Sequence, residues 1–233
     1  MQVANNITAL QLNGTIITPP IYNETELLNI FETTKLPMVQ IAPHMNFNRS
    51  DVVQMDDHAA AKEMTEHLIA LGHRSIGFVK GDPTHSASAK RYDGFLAAMA
   101  GAGLSVAADH VLEGDFSFRS GLELGEVMLR REERPTAIFA SNDDMALGVL
   151  ITAMKLGIGV PDMLSVAGFD DAPTSRAAWP QLTTIRQPKA EMAAAAVDIL
   201  ADPQYRGDVT AERYQMSLDY VLVKRGSTGK VGC

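Results

Sequence analysis

AIFASNDDMALGVL, residues 137–150, passes from an apolar run through four polar residues into a helix with almost no polar face. Both flanking segments have the composition of buried elements, so the polar residues mark a point where the chain leaves the core. In a doubly wound α/β sheet, ligands bind outside the carboxyl ends of the strands, where loops meet helix N-termini. The stretch therefore predicts an α/β fold with either a polar site or a helix cap at this strand end.

The composition indicates a folded chain that is by itself a poor DNA binder. Of its 233 residues, 46% are hydrophobic and 21% charged, and the formal net charge is −8. No dense cluster of Lys and Arg is present to follow a phosphate backbone. The one cysteine, Cys233, excludes an internal disulfide framework and a multi-cysteine zinc site. Residues 1–20 lack the pattern of a signal peptide, so we expect a cytoplasmic protein with no membrane contact.

The middle of the chain alternates between helices that end near glycine and short strands. The segment 56–72 has apolar residues at helical spacing with Gly72 at its end, and a strand follows at 75–81. The same alternation predicts helices at 88–102, 117–131 and 143–156 and strands at 110–114, 135–140 and 163–169. Strands joined by helices of this length form a parallel sheet covered on both faces.

The two ends of the chain have the pattern of a second sheet. Strands are predicted in GTIITPP (14–20) and PMVQIAP (37–43), on either side of a helix at 24–34. A helix is predicted at 188–203, followed by one or two strands within 213–229. We therefore expect two doubly wound lobes joined by several crossings. The N-terminal lobe comprises 1–54 and 188–216, and the C-terminal lobe comprises 55–187 and 217–233.

Six segments in order resemble the signatures of the effector-binding domain of LacI-type bacterial transcription regulators. They are LIALGHRSIGFVKGDPTHSASAKRYDGFLAAM (68–99), EGDFSFRSG (113–121), the segment 137–150, VPDMLSVAGFDD (160–171), PQLTTIRQP (180–188) and VKRGSTG (223–229). The resemblance covers nearly all of residues 10–229. It implies two lobes of the periplasmic-binding-protein type that close on a small molecule.

The resemblance also assigns ligand-binding residues. Arg91, three residues before the glycine of the RxxGF pattern, matches the arginine that clamps the effector, and a guanidinium holds two hydroxyls in a fixed fork. Asn142 matches a ligand-binding amide, and Asp170 matches a carboxylate that accepts two hydroxyl donors. Phe116 matches an aromatic residue that stacks on the ligand. We expect alanine at Arg91, Asn142 or Asp170 to remove binding with little loss of fold stability.

Other positions carry weaker or structural assignments. Phe118 and Trp179 are weaker aromatic candidates, and Asp143 and Asp171 are assigned to cap and loop structure. Lys189 stands where some relatives offer an aromatic residue to the ligand. It is either a solvated residue at a helix start or a contact for an acidic sugar or a phosphate.

One further position departs from the sugar-binding pattern. The loop after VQIA carries Pro43 and His44 where sugar-binding relatives often place an acid. His44 is therefore a candidate ligand contact, and the identity of the ligand stays open.

The functional prediction is a ligand-sensing domain of a LacI-type regulator, which binds a sugar or sugar derivative between its lobes and controls DNA binding by a helix-turn-helix head. We expect a homodimer and neither a cofactor nor a metal. The alternative is a solute-binding protein for sugar uptake. An enzyme is not predicted, because the paired acids are sequence neighbours that point apart, and no nucleophile has an evident base.

The N-terminus leads to a last expectation. Family members begin with the head, followed by a first strand and helix. In this sequence Met1 is followed directly by QVANNITALQLNGTIITPP, which matches the region that leads to the second strand of the family. Residues 1–14 have no apolar run of the kind a central buried strand requires. We therefore expect an incomplete N-terminal lobe and no sequence-specific operator binding by this chain, since the head is absent from it.

Overall fold

A computed structural model describes residues 12–19, 36–43, 50–202 and 214–232 of the chain. The chain divides into two compact units. Unit 1 comprises Met1–Met55, Thr84–Ser86 and Pro188–Asp219, and unit 2 comprises Asp56–Pro83, Ala87–Gln187 and Tyr220–Cys233.

The described residues form strands and helices in alternation. The strands are β1 (Thr15–Ile17), β2 (Met38–Ile41), β3 (Asp51–Met55), β4 (Ile76–Lys80), β5 (Val111–Glu113), β6 (Ala137–Ala140), β7 (Ser165–Ala167), β8 (Thr184–Arg186), β9 (Gln215–Leu218) and β10 (Val221–Val223). The helices are α1 (Asp57–Ala70), α2 (Ser86–Gly101), α3 (Phe118–Leu129), α4 (Asp143–Lys155), α5 (Pro173–Ala177) and α6 (Lys189–Ala201).

Unit 1 is built on a parallel sheet whose described strands follow the order β1-β2-β3-β9. Helix α6 packs on this sheet, and Met192, Ala196 and Ile199 bury their side chains against Val39 and Val53. The last strand, β9, comes from the far end of the chain. Both ends of the sequence therefore contribute to one sheet.

Unit 2 contains a second parallel sheet, in the order β5-β4-β6-β7. Its strands β4 and β6 are buried along almost their whole length, as expected for a parallel sheet covered on both faces. A separate antiparallel pair joins β8 to β10. The predicted α/β fold with parallel sheets is confirmed.

The glycine-terminated helices also agree with the prediction. Gly72, Gly103 and Gly157 have φ of 99°, 68° and 71°, in the left-handed region that ends a helix. The chain therefore turns at the positions that the sequence marks.

The sequence did not predict β3, β8 or α5. The strand β3 reads DVVQM and begins with a buried acid, so it lacks a continuous apolar run. Its Asp51 carboxylate accepts a hydrogen bond of 2.6 Å from the backbone N–H of Tyr214 in the segment that leads into β9. This partner is remote in sequence and gives no local signal.

Two predictions fall largely outside the described residues. The helix predicted at 24–34 lies there entirely, and of residues 1–14 only 12–14 are described. The expected incompleteness of the N-terminal lobe stays a prediction.

Candidate functional site

The four strands of the unit 2 sheet run parallel, so the segments that follow them lie at one edge. We call these segments, residues 81, 114–117, 141–142 and 168–171, the carboxyl edge. Three of its residues, Phe116, Asn142 and Asp170, were predicted ligand contacts from the resemblance to LacI-type regulators.

Backbone strain is concentrated at this edge. Phe116, Asp170 and Asp171 have φ of 66°, 120° and 49°, and they are the non-glycine residues with positive φ in the described part of unit 2. Each such conformation costs about 1 kcal/mol or more, and strained residues cluster at binding and active sites. The positive-φ residues of the described part of unit 2, glycines aside, are thus gathered at its carboxyl edge.

Arg91 reaches the carboxyl edge from α2 and is held there on three sides. Its Nε donates to Oδ1 of Asp57 at 2.8 Å, and Nη1 donates to the backbone oxygen of Ser141 at 2.6 Å. The guanidinium lies 3.7 Å from the ring centroid of Phe169, a cation–π contact. Only 6% of the side chain is exposed. Arg91 is thus a buried, fixed fork, and in the described part of the chain its Nη2 has no hydrogen-bond partner.

Three residues around Arg91 were not predicted as site residues: Asp57, Ser141 and Phe169. Asp57 was considered only as one of a pair of acids at a helix start, and the neighbouring Asp56 is the one that caps α1. The Ser141 hydroxyl is buried and has no hydrogen-bond partner among the described residues. The run of polar residues at 141–144 could have marked Ser141 as a site residue. No local pattern could have marked Asp57, because its pairing with Arg91 depends on how two helices pack.

Asn142 caps α4 and also ties two loops together. Its Oδ1 accepts from the N–H of Met145 at 3.0 Å, which is the N-cap bond. Its Nδ2 donates to the backbone oxygen of Phe116 at 2.8 Å. Asn142 is 8% exposed. The cap alternative is therefore realised, and the second Nδ2 hydrogen has no partner among the described residues.

The Phe116 ring occupies the space above Gly81, the residue that follows β4. A Cβ atom at Gly81 would lie 1.9 Å from Cζ of the ring. Only glycine allows this approach. The half-buried ring also packs against the apolar core of unit 2, so the carboxyl edge gains a fixed aromatic wall.

Asp170 and Asp171 are neighbours with different surroundings. The Asp170 carboxylate accepts from Nε2 of Gln187 and is half-buried. The Asp171 carboxylate is 1% exposed and accepts from Arg176, Arg186 and Arg225. Burial alone would raise the pKa of Asp171, but hydrogen bonds from the three arginines hold it well below its usual value. Asp171 is a structural anchor, as predicted.

Asp143 is fully buried at the first position of α4. It accepts from Oγ1 of Thr184 at 2.6 Å and from the N–H of Ala172 at 2.8 Å. Burial raises the pKa of Asp143 to about 7, the nearby charges of Asp170 and Asp171 add to this, and the two hydrogen bonds oppose it. Its role is to join the loop after β7 to α4, which agrees with the structural assignment.

The structure links four of the predicted site residues. Arg91 contacts Ser141, whose neighbour Asn142 contacts Phe116, and Arg91 also lies on Phe169, which precedes Asp170. Their assignment to ligand binding stays a prediction.

The contacts above do not include the remaining predicted site residues. Trp179 is 83% exposed, beyond α5. Lys189 is an exposed residue at the start of α6 in unit 1. His44 lies outside the described residues. Their ligand roles stay predictions as well.

The described residues contain neither a candidate metal-binding group nor a candidate membrane-spanning helix. In residues 12–19, 36–43, 50–202 and 214–232, no three His, Cys, Asp or Glu side chains are grouped to hold a metal ion. No helix in that part of the chain has the length and apolar character to cross a membrane.

Comparison with known proteins identifies the family. Residues 65–228 match the periplasmic binding protein-like domain. Over 231 residues the chain is 32% identical to catabolite control protein A of Priestia megaterium, an alignment that covers 98% of this chain and 68% of the relative. The chain belongs to the LacI family of transcription regulators.

Other LacI-family proteins give the same assignment. The chain is 37% identical to the HTH-type transcriptional repressor PurR of Actinobacillus pleuropneumoniae over 175 residues, 75% of this chain and 52% of the repressor. It thus spans about half the length of that relative. A solved complex of the transcriptional regulator CelR with cellobiose superposes with a TM-score of 0.88 at 25% identity, covering 97% of this chain and 69% of CelR.

Proposed function

We propose that this LacI-family effector-binding domain senses a sugar or sugar derivative at the carboxyl edge of unit 2. The observation that carries the proposal is the fixed guanidinium of Arg91, which is held by Asp57 and Ser141 while Nη2 has no partner in the described chain. A pre-positioned donor of this kind binds a hydroxyl without the cost of ordering a flexible side chain.

The neighbouring groups complement a polyhydroxylated ligand. Asp170 supplies a carboxylate that accepts hydroxyl donors. Phe116 supplies an apolar face of the kind that lines small-molecule sites. The relation to a regulator solved with cellobiose supports a sugar as the ligand class.

The sensing step works through differential affinity. A ligand that binds one arrangement of the domain more tightly shifts the population toward that arrangement. We propose that in the whole protein this shift controls DNA binding by a helix-turn-helix head, in the cytoplasm. The similarity to a control protein and a repressor favours this regulator over a solute-binding protein for uptake, and over an enzyme.

We also propose a homodimer, paired through helices α3 and α4. Val127, Ile151 and Met154 on these helices are 50%, 40% and 61% exposed. Apolar side chains grouped on an exposed surface mark an interaction site more often than isolated ones do. A symmetric pair would match two operator half-sites.

A thermal-shift screen tests the ligand class. The chain is heated with monosaccharides, disaccharides, uronic acids and purines, with sorbitol at equal concentration to control for general stabilisation by polyols. A neutral sugar that raises the melting temperature above the sorbitol value supports the proposal. Uronic acids alone would support a charged sugar derivative, whereas purines alone, or no response, would overturn the sugar assignment.

A further inference from the structure

Unit 2 has a cavity at the edge of its sheet opposite the carboxyl edge. The cavity has a volume of about 520 Å³, within the range of small-molecule sites. It lies where the chain enters β4 and β5. Its lining residues are Arg74, Ser75, Ile76, Gly103, Leu104, Ser105, Val106, Ala107, His110, Glu133 and Arg134.

Arg134 is the residue that points to a ligand. Its Nη1 is buried and has no hydrogen-bond partner, and no ion pair of Arg134 is formed within the described residues. A buried cationic N–H without an acceptor is costly, because hydration is lost and nothing replaces it. Arg134 also lines the cavity, which is large enough to hold a small anion.

A second guanidinium stands at the rim. Nη1 of Arg74 donates to the backbone oxygens of Ile69 at 3.0 Å and His73 at 3.1 Å, which fixes the exposed side chain in place. Two guanidinium groups therefore line one cavity. The acid that lines it, Glu133, is exposed and forms no ion pair with either arginine within the described residues.

The remaining walls are apolar or already satisfied. Ile76, Leu104 and Val106 supply aliphatic surface. Both ring nitrogens of His110 have partners within the protein. Nε2 pairs with the backbone oxygen of Glu133 at 3.0 Å, and Nδ1 lies 3.5 Å from Oγ of Ser75. The cavity thus combines a cationic side with an apolar side.

We propose that this cavity binds a small organic anion, in which a carboxylate or phosphate group pairs with Arg134 and Arg74 and a compact apolar body rests on Ile76, Leu104 and Val106. Arginine pairs with both kinds of oxyanion through parallel charge-assisted hydrogen bonds. The site shares no residue with the carboxyl edge and does not depend on the sugar assignment.

Calorimetry on the full chain tests the site with phenyl phosphate and benzoate as probes. Binding of either probe is expected, and the one that binds identifies the oxyanion class. Arg134→Gln is expected to weaken that binding by about tenfold or more without lowering the melting temperature, because the Arg134 side chain makes no hydrogen bond within the described residues. Ser105→Glu, which adds a carboxylate at an exposed rim position, is expected to weaken binding as well.

The matched control is Arg119→Gln, which removes an 86% exposed guanidinium on α3 outside the cavity. It is expected to bind the probe as the wild type does. Amide resonances of Ile76, Leu104 and Val106 are expected to shift on titration, and those of Ser141 and Asn142 to stay in place. Absence of binding by both probes, equal binding by Arg134→Gln and wild type, or shifts confined to the carboxyl edge would overturn the proposal.

Discussion

Arg91 and Asp57 form an ion pair of 2.8 Å in which the side chains are 6% and 5% exposed. The two residues are 34 positions apart and lie on α2 and α1. The pair fixes the guanidinium whose other nitrogen contacts Ser141, so it connects helix packing in unit 2 to the geometry of the carboxyl edge.

We predict that Asp57→Ala and Arg91→Ala each lower the free energy of unfolding by about 3 kcal/mol, because each leaves a buried charge without its partner. The double variant is expected to lose clearly less than the sum, since it removes both charges. Urea denaturation measures all three values. Strict additivity would show that the two side chains do not interact.

This burial corrects the expectation that alanine at each of the three predicted ligand positions costs little fold stability. Arg91 is buried in an ion pair, and Asn142 caps α4 with one amide atom and holds Phe116 with the other. Loss of a helix cap alone costs about 1 kcal/mol. Asp170 is therefore the cleaner position at which to test ligand binding.

We predict that Gly81→Ala destabilises the chain by about 1–3 kcal/mol, because the new Cβ would meet the Phe116 ring at 1.9 Å. In a Phe116→Ala background the same change is expected to cost little, since the ring is gone. Thermal or urea unfolding of the four proteins gives the comparison.

Gly101→Ala is the matched control for this pair. Nothing lies within 4 Å of a Cβ at Gly101, so this change is expected to be neutral or slightly stabilising. An equal cost of Gly81→Ala with and without Phe116 would refute the contact.

Asp143 leads to a prediction on pH. Burial raises its pKa from 3.8 to about 7, so the folded state binds this proton more tightly than the unfolded state does. The resulting stabilisation is complete below about pH 4 and is lost as the pH rises through about 7. Asp143→Asn is expected to remove this slope, which reaches about 1.4 kcal/mol per pH unit.

The measurement is the difference in unfolding free energy between wild type and Asp143→Asn from pH 4 to 8. The lowered pKa values of His67 and His73 give a slope of opposite sign, which cancels in the difference. The contribution of Asp171, whose pKa is lowered, is lost only below about pH 4. Exposed Asp162→Asn is the control, and a pH-independent difference would contradict the assignment.

Local patterns were sufficient to predict most of unit 2. Buried strands such as β4 and β6 are apolar along their length, and Gly72 and Gly157 mark helix ends because they adopt positive φ. Strand β3 was missed because Asp51 breaks its apolar run, and the group that satisfies that acid lies 163 residues away. Pairings at that separation leave no trace in a short window.

In the candidate site, too, local patterns were predictable and contacts between remote residues were not. The strand ends at Asn142 and Asp170 were marked by polar residues after buried strands, a position that the order of elements determines, and the resemblance assigned their ligand roles. Asp57 was missed as the partner of Arg91, because the pairing follows from how α1 and α2 pack. Spacing patterns carry information about a single element and little about which elements meet.

For the assembly, we predict a homodimer at micromolar concentration, as judged by sedimentation velocity. Met154→Glu is expected to give a monomer, because it places a charge among the exposed apolar side chains of α3 and α4. Ala100→Glu, an equal charge change at an exposed position of α2, is expected to stay dimeric. A monomeric wild type, or a dimeric Met154→Glu variant, would argue against this interface.

The central claim, that the carboxyl edge of unit 2 binds a sugar or sugar derivative, is tested most directly by calorimetric titration of Asp170→Asn. The titrant is the compound that gives the largest thermal shift in the screen, and Asp162→Asn, which changes an exposed acid, serves as the control. Asparagine tolerates the φ of 120° and keeps an oxygen for Gln187, so the fold is expected to persist. The account predicts about tenfold weaker binding by Asp170→Asn at an unchanged melting temperature, and wild-type affinity for the control. Wild-type affinity in Asp170→Asn would contradict it.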